Sequence, residues 1–212
     1  MTTRVKICGV TLPDDAAHAA AAGADFLGLN FWPSSKRYLD PARAPLVAAA
    51  ARSAGAVQLA GVFVDARLDD IVAIASAVPL DIIQLHGGES TAFVAKVATA
   101  TGRPVWKAIS VASRTDVDHL DAWPTEAILL DTPSAGRGGS GATFDWSLAA
   151  LARRDNPARR VVLAGGLEST NVARAVAEVA PYAVDVASGV EAAPGIKDPA
   201  KVIAFIAAAR GA

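Results

Sequence analysis

The first apolar run of the chain, Arg4-Val5-Lys6-Ile7-Cys8, carries a lysine and the only cysteine two positions apart. In a strand alternate residues share a face, so Lys6 and Cys8 point one way while Val5 and Ile7 point the other. Gly9 follows at once, which puts the thiol at the C-terminal end of a strand, beside a cation. A lone cysteine is often just a small buried hydrophobe. A strand end, a glycine turn and an ammonium on the same face point instead to a nucleophile or base.

Other residues able to do chemistry sit at comparable places. Asn30 closes a second apolar run and is followed by Pro33-Ser34-Ser35-Lys36-Arg37. Gln84 and His86 end a fourth run, Lys107 lies in a fifth, Asp131 ends a sixth, and Asp185 then Ser188-Gly189 close the last. Two-residue parity places Gln84 with His86, and Leu129 with Asp131, on common faces. Arg37 has the planar fork that pairs with a carboxylate or a phosphate. Gly165-Gly166 and Ser188-Gly189 are turns whose backbone N–H groups can surround an anion, and a third glycine-rich stretch, residues 136–141, follows the sixth run. His18, His86 and His119 fall on separate segments without ligand spacing, so no metal site is expected. Dinucleotide, P-loop and nucleophile-elbow motifs are absent.

The elements that must position these groups alternate without a break. Strands are expected over residues 5–8, 26–31, 57–63, 81–85, 105–110, 127–131, 160–164 and 184–188. Helices are expected over 13–22, 41–54, 68–78, 90–101, 114–120, 146–153, 170–179 and 199–210. Thr11, Asp40 and Asp145 are placed as N-caps, with Pro13 and Pro41 in first turns. Gly23, Gly55 and Gly102 stand where glycines end helices. Eight βα units predict parallel strands joined by right-handed crossovers and closed into a single-domain (β/α)8 TIM barrel over residues 1–212. An open doubly wound sheet is the alternative; it usually has fewer units and a glycine fingerprint after the first strand. In a barrel the active site lies at the C-terminal strand ends, with phosphate bound after strands 7 and 8. The polar residues above occupy those places.

Composition narrows the partners. A net charge of −1 with 19% charged residues speaks against nucleic acid and membrane surfaces. One cysteine excludes an internal disulfide and fits a reducing compartment. With no apolar leader after Met1 and no run long enough to span a bilayer, a cytoplasmic protein is expected.

The motifs then resemble a family, phosphoribosylanthranilate isomerase. They are Lys6-Ile7-Cys8-Gly9, Ser35-Lys36-Arg37-Tyr38, Gly61-Val62-Phe63-Val64, Gln84-Leu85-His86-Gly87 and Leu129-Leu130-Asp131-Thr132. Gly139-Ser140-Gly141-Ala142-Thr143-Phe144-Asp145-Trp146, Leu163-Ala164-Gly165-Gly166-Leu167, Asp185-Val186-Ala187-Ser188-Gly189-Val190-Glu191 and Pro194-Gly195-Ile196-Lys197-Asp198 complete them, with mild departures at Ser140, Ala142 and Ala187. The resemblance implies a barrel enzyme of tryptophan biosynthesis that performs an Amadori rearrangement without a cofactor. It implies Cys8 as general base, Asp131 as general acid and Arg37 as ligand of the anthranilate carboxylate. Phosphate is expected at Gly165, Gly166, Ser188 and Gly189 with Gly141 nearby, and Lys6, His86 and Asp185 are expected to line the substrate site. The partner would be a phosphorylated small molecule, and a monomer is expected rather than a dimer. Aspartate ordinarily ionises near about 3.9 and cysteine near about 8.5, the reverse of what the two roles need at neutral pH, so surroundings must shift one or both. Two rival readings remain: another phosphosugar barrel, such as an indole-glycerol-phosphate synthase or a ribulose-phosphate epimerase relative, and a non-catalytic binder of a phosphorylated ligand.

Overall fold

A computed structural model describes residues 2–133 and 145–211. Eight strands run parallel in chain order: β1 (Arg4–Cys8), β2 (Phe26–Asn30), β3 (Gln58–Phe63), β4 (Ile82–Leu85), β5 (Val105–Ser110), β6 (Ala127–Asp131), β7 (Arg160–Leu163) and β8 (Ala183–Val186). They close into a barrel because β8 returns to β1, with Val5 opposite Val184 and Lys6 opposite Asp185. The helices around it are α1 (Pro13–Ala21), α2 (Ala44–Ala54), α3 (Leu68–Ala77), α4 (Thr91–Thr101), α5 (Trp146–Asp155), α6 (Val172–Val179) and α7 (Pro199–Arg210). The expected (β/α)8 barrel is the fold.

Local chemistry sets most helix ends. Ser90 accepts from the Phe93 N–H at the start of α4, and Gly102 ends that helix in the left-handed region at φ 62°. Asp145 caps α5 through the Ser147 N–H, and Asp198 caps α7 through Ala200 and Lys201. Three expectations change. Thr11 is no cap: its hydroxyl donates to the Gly195 carbonyl, and α1 starts after Leu12 without a side-chain cap. Asp40 instead holds a turn through the Ala42 N–H, so α2 starts at Ala44. Residues 114–120 form no α-helix. Asp116 folds back on Ser113 to close a short 3₁₀ turn over Arg114–Val117, and His119 at φ 59° breaks the chain before a second over Leu120–Ala122.

The barrel is filled rather than hollow. Phe26, Ile82, Trp106, Leu129 and Val162 pack inside it against the small Ala60, Ala108, Ala127, Ala164 and Ala183. The Phe26 and Trp106 rings meet edge-on at 5.0 Å. This plug fixes the strands' parity, so that the next inward residues toward the C-terminal ends emerge at the mouth. A second apolar layer, built from the outward strand residues and the inner helix faces, joins sheet to helices.

After β8 the chain makes a 3₁₀ turn, Ser188–Val190, and then a small hairpin, β9 (Glu191–Ala193) and β10 (Ile196–Lys197), before α7. Gly195 turns it at φ 81°, a conformation that favours glycine and that Pro194 prepares. Buried Asp15 of α1 accepts the Lys197 N–H, and Asp198 N–H reaches the Val190 carbonyl. The hairpin is thereby fastened over the end of β1.

Candidate active site

Cys8 sits half-buried at the end of β1, with Lys6 fully buried below it on the same inward face. Lys6 Nζ bridges both carboxylate oxygens of Asp185 at 3.0 Å across the β1–β8 seam. Room for the thiol comes from β2, where Gly28 is paired with Cys8. A methyl group there would lie 2.7 Å from Sγ and 3.1 Å from Lys6 Nζ. Glycine is needed because the thiol and the ammonium occupy the space a side chain would fill.

The electrostatics of this pair run against a preformed thiolate. Burial pushes the Cys8 thiol up and the Asp185 charge pushes it further, outweighing the downward pull of Lys6 and Lys197. Burial pulls the Lys6 ammonium down, but Asp185 and the Cys8 sulfur prevail and raise it, so it stays charged. The sequence left the direction of the Cys8 shift open; the structure makes it upward. A thiolate formed here is a correspondingly stronger base.

Asp131 ends β6, buried, with Oδ1 accepting the Thr132 N–H at 2.8 Å and Oδ2 3.2 Å from His86 Nε2. Gln84, inside the barrel on β4, places its Nε2 at 3.0 Å from His86 Nδ1. The Gln84 amide thereby pins the imidazole from one side and leaves Nε2 facing the Asp131 carboxyl. The parity expected for Gln84 and His86 is what brings this chain together. Lys107 behaves differently. Trp106 and Ala108 take the inward positions of β5, so Lys107 leaves the interior and pairs with Glu89 at 3.2 Å behind the strand. Its ammonium also donates to the Gly87 carbonyl at 2.8 Å, in the loop just after His86.

Arg37 is delivered by the loop after β2. Asn30 accepts from the Trp32 N–H and donates to Ser35 Oγ, which in turn accepts the Arg37 N–H. The Arg37 stem then crosses Gly9, where a methyl would be 2.3 Å from its Cδ, so the guanidinium lies above β1 next to Cys8. Its Nε and Nη2 each donate to Glu191 at 2.7 Å. Glu191 also accepts from Lys197 Nζ at 2.9 Å, and that ammonium donates to the Cys8 carbonyl at 2.6 Å. Although burial opposes it, Arg37 and Lys197 hold the Glu191 carboxyl below the usual range; burial draws Lys197 down.

The turns after β7 and β8 are built for close backbone approach. Gly165 and Gly166 have φ of 87° and 62°, and a methyl on Gly165 would fall 2.1 Å from Thr132 Oγ1. A methyl on Gly189 would fall 2.1 Å from the Leu167 carbonyl, so the two turns are packed on one another. Asn171 ties the first of them through the Gly166 carbonyl at 2.9 Å. Gly141 and the rest of the 136–141 stretch lie outside the described residues.

Thus Lys6, Cys8, Arg37, His86, Asp131, Asp185, Gly165, Gly166, Ser188 and Gly189 all stand at or just below one barrel mouth. Around the barrel the order β6, β7, β8, β1, β2 sets the carboxylic acid, the two glycine turns, the thiol and the arginine in sequence. Two residues in contact with Arg37 and the end of β1, Glu191 and Lys197, went unassigned by the sequence. The signal was Pro194-Gly195, a turn dipeptide between short segments that brings both back over β1. No helix among the described residues is long and apolar enough to cross a membrane.

Fold and site together define a (β/α)8 barrel whose C-terminal mouth gathers a thiol, a carboxyl group, an arginine and two glycine turns. The family model described as N-(5'phosphoribosyl)anthranilate (PRA) isomerase matches residues 5–208. An N-(5'-phosphoribosyl)anthranilate isomerase of Ralstonia nicotianae is 45% identical, over 99% of this chain and 94% of that protein. The crystal structure of the Thermotoga maritima phosphoribosyl anthranilate isomerase superposes with TM-score 0.90 at 41% identity, covering 100% of both chains. A solved isomerase complexed with reduced 1-(o-carboxyphenylamino)-1-deoxyribulose 5-phosphate gives 0.87 at 40% identity, again over 100% of both. The chain belongs to the N-(5'-phosphoribosyl)anthranilate isomerase family.

Proposed function

We infer that the chain isomerises N-(5'-phosphoribosyl)anthranilate to 1-(2-carboxyphenylamino)-1-deoxyribulose 5-phosphate, working as one domain over residues 1–212. The observation that carries the reading is the placement of a thiol and a carboxyl group at the same mouth, Cys8 and Asp131, separated on one arc by the two glycine turns. Asp131 is the acid. It protonates the ribose ring oxygen as the C1′–O bond breaks and the nitrogen lone pair forms an iminium. His86 Nε2, at 3.2 Å, is the group with which that carboxyl can share a proton. Cys8, as thiolate, then removes the C2′ proton, and the electron pair moves toward C1′ to give the enolamine, which tautomerises to the ketone. C2′ is oxidised as C1′ is reduced, so the rearrangement needs no external oxidant or reductant, in keeping with the expected absence of a cofactor. Each proton transfer contributes roughly 10²–10⁴-fold.

The backbone around Gly165, Gly166, Ser188 and Gly189 holds the phosphate, as such turns do in barrels. Arg37, on the far side of Cys8, takes the anthranilate carboxylate. Lys6 and Asp185 set the charge beneath the thiol. Among the described residues the large exposed apolar side chains, Tyr38, Leu46, Ile196 and Ile203, sit on separate elements, which favours a monomer; the Thermotoga maritima relative, by contrast, is described as dimeric. The single cysteine fits the reducing cytoplasm as the compartment. The test is turnover of phosphoribosylanthranilate generated in situ. Its conversion to the deoxyribulose product is expected, and binding without conversion would overturn the reading in favour of a non-catalytic barrel.

A further inference from the structure

Glu191 makes no use of its carboxylate that the rearrangement itself requires. It lies buried on β9, facing Arg37, and its two oxygens take the Nε and Nη2 hydrogens on a single edge of the Arg37 guanidinium. A guanidinium has two such edges. The other, made of Nη1 and the second Nη2 hydrogen, has no partner among the described residues, and the Arg37 side chain keeps 16% of its surface open to solvent. Glu191 is itself held rigidly, with Oε1 accepting from the Gly195 N–H and from Lys197 Nζ, and its own carbonyl accepting from Lys201 Nζ. The hairpin beneath it is fastened to α1 by Asp15.

We propose that Glu191 is a positioning residue for substrate recognition: it clamps one edge of Arg37 so that the free edge is presented, pre-oriented, to the substrate's aromatic carboxylate. The proposal rests on the reading of Arg37 as the carboxylate ligand. A clamped fork loses less side-chain freedom on binding than a free arginine, which is where the gain in affinity arises. The competing possibility is that Glu191 occupies the fork in place of the substrate and is expelled when substrate binds. These two roles have opposite consequences for affinity.

The experiment measures Kd by calorimetry for two probes, reduced 1-(o-carboxyphenylamino)-1-deoxyribulose 5-phosphate and the same compound without the carboxylate. Their ratio isolates the carboxylate contact; in the unmodified protein it is expected to be roughly ten- to hundredfold, the range of a charged hydrogen bond. Arg37→Ala should collapse the ratio toward one. Should it not, the reading of Arg37 itself falls. Glu191→Gln keeps an oxygen for Lys197 and Gly195 but sets an amide donor against an arginine donor, so the clamp is lost while the hairpin contacts persist. It should lower the ratio about five- to tenfold and leave the Kd of the carboxylate-free probe within about twofold. Glu191→Asp, which withdraws the carboxylate by one methylene and keeps the charge beside Lys197, should act in the same direction and serves if Glu191→Gln melts early. A ratio that rises in these variants makes Glu191 a competitor. A ratio that stays constant while both probes weaken makes it a structural residue. Either result, with Arg37→Ala behaving as expected, overturns the proposal alone.

Discussion

Gly28→Ala probes the site without touching a chemical group. The added methyl would lie 2.7 Å from Cys8 Sγ, where ordinary contact begins near 3.4 Å, and 3.1 Å from both Cys8 Cα and Lys6 Nζ. The thiol must therefore retreat by at least about 0.7 Å, or the β1–β2 spacing must open by a similar amount. Overpacking of this kind costs about 1–3 kcal/mol of stability. A displacement approaching 1 Å at a proton-transfer group can cost on the order of 10²-fold in rate, so kcat should fall roughly 10- to 100-fold while the Kd of the reduced product analogue changes little. The assay is steady-state kinetics on protein whose melting confirms a folded barrel, joined to a double-mutant cycle on stability. In a Cys8→Ala background the closest clash is gone, so Gly28→Ala should cost about 1 kcal/mol less there than in the unmodified protein. A kcat within twofold of the unmodified protein, or an equal stability cost in both backgrounds, refutes the argument that Gly28 exists to house the thiol.

Two further outcomes follow from the same geometry. Asp131→Asn keeps the shape of the side chain and an acceptor for the Thr132 N–H or His86 but cannot release a proton as an acid; kcat should drop roughly 10²–10⁴-fold with analogue binding retained, and a drop of only a few-fold would make the residue a mere organiser of the β6 loop. Because burial and Asp185 raise the Cys8 thiol, the reactive thiolate is scarce at neutral pH and is gained as pH rises. Alkylation by iodoacetamide should therefore speed up about tenfold per pH unit from pH 7 and show no plateau below about pH 9, whereas a plateau near neutrality would mean that Lys6 and Lys197 dominate.

Much of this site could be read from residue parity. Cys8, His86 and Asp131 lie at strand ends, and a two-residue period fixes their face once the strand is recognised. Lys107 shows where that reasoning stops. Its parity is equally definite, but which face is inward depends on Trp106 filling the barrel, a packing outcome that spacing does not contain. The segment 114–120 failed for a related reason: its polar, Asp-rich sequence offers side-chain caps that compete with an α-helix. Thr11 has the residue type of a cap, but its hydroxyl is claimed by the Gly195 carbonyl, 184 residues away. Glu191 and Lys197 went unread because their partners, Arg37 and the Cys8 carbonyl, are distant in the chain and meet only when the hairpin folds over β1. The Cys8 shift was beyond the sequence because it is a balance between burial, one anion and two cations.

If Cys8 and Asp131 move the protons, Cys8 is the sharper probe, because its other possible role, a small buried side chain, is fully served by alanine. The decisive measurement is kcat for Cys8→Ala alongside its Kd for reduced 1-(o-carboxyphenylamino)-1-deoxyribulose 5-phosphate. A general base at Cys8 requires kcat to fall roughly 10²–10⁴-fold with the Kd nearly unchanged. A folded Cys8→Ala protein that turns over phosphoribosylanthranilate within a few-fold of the unmodified rate would contradict it.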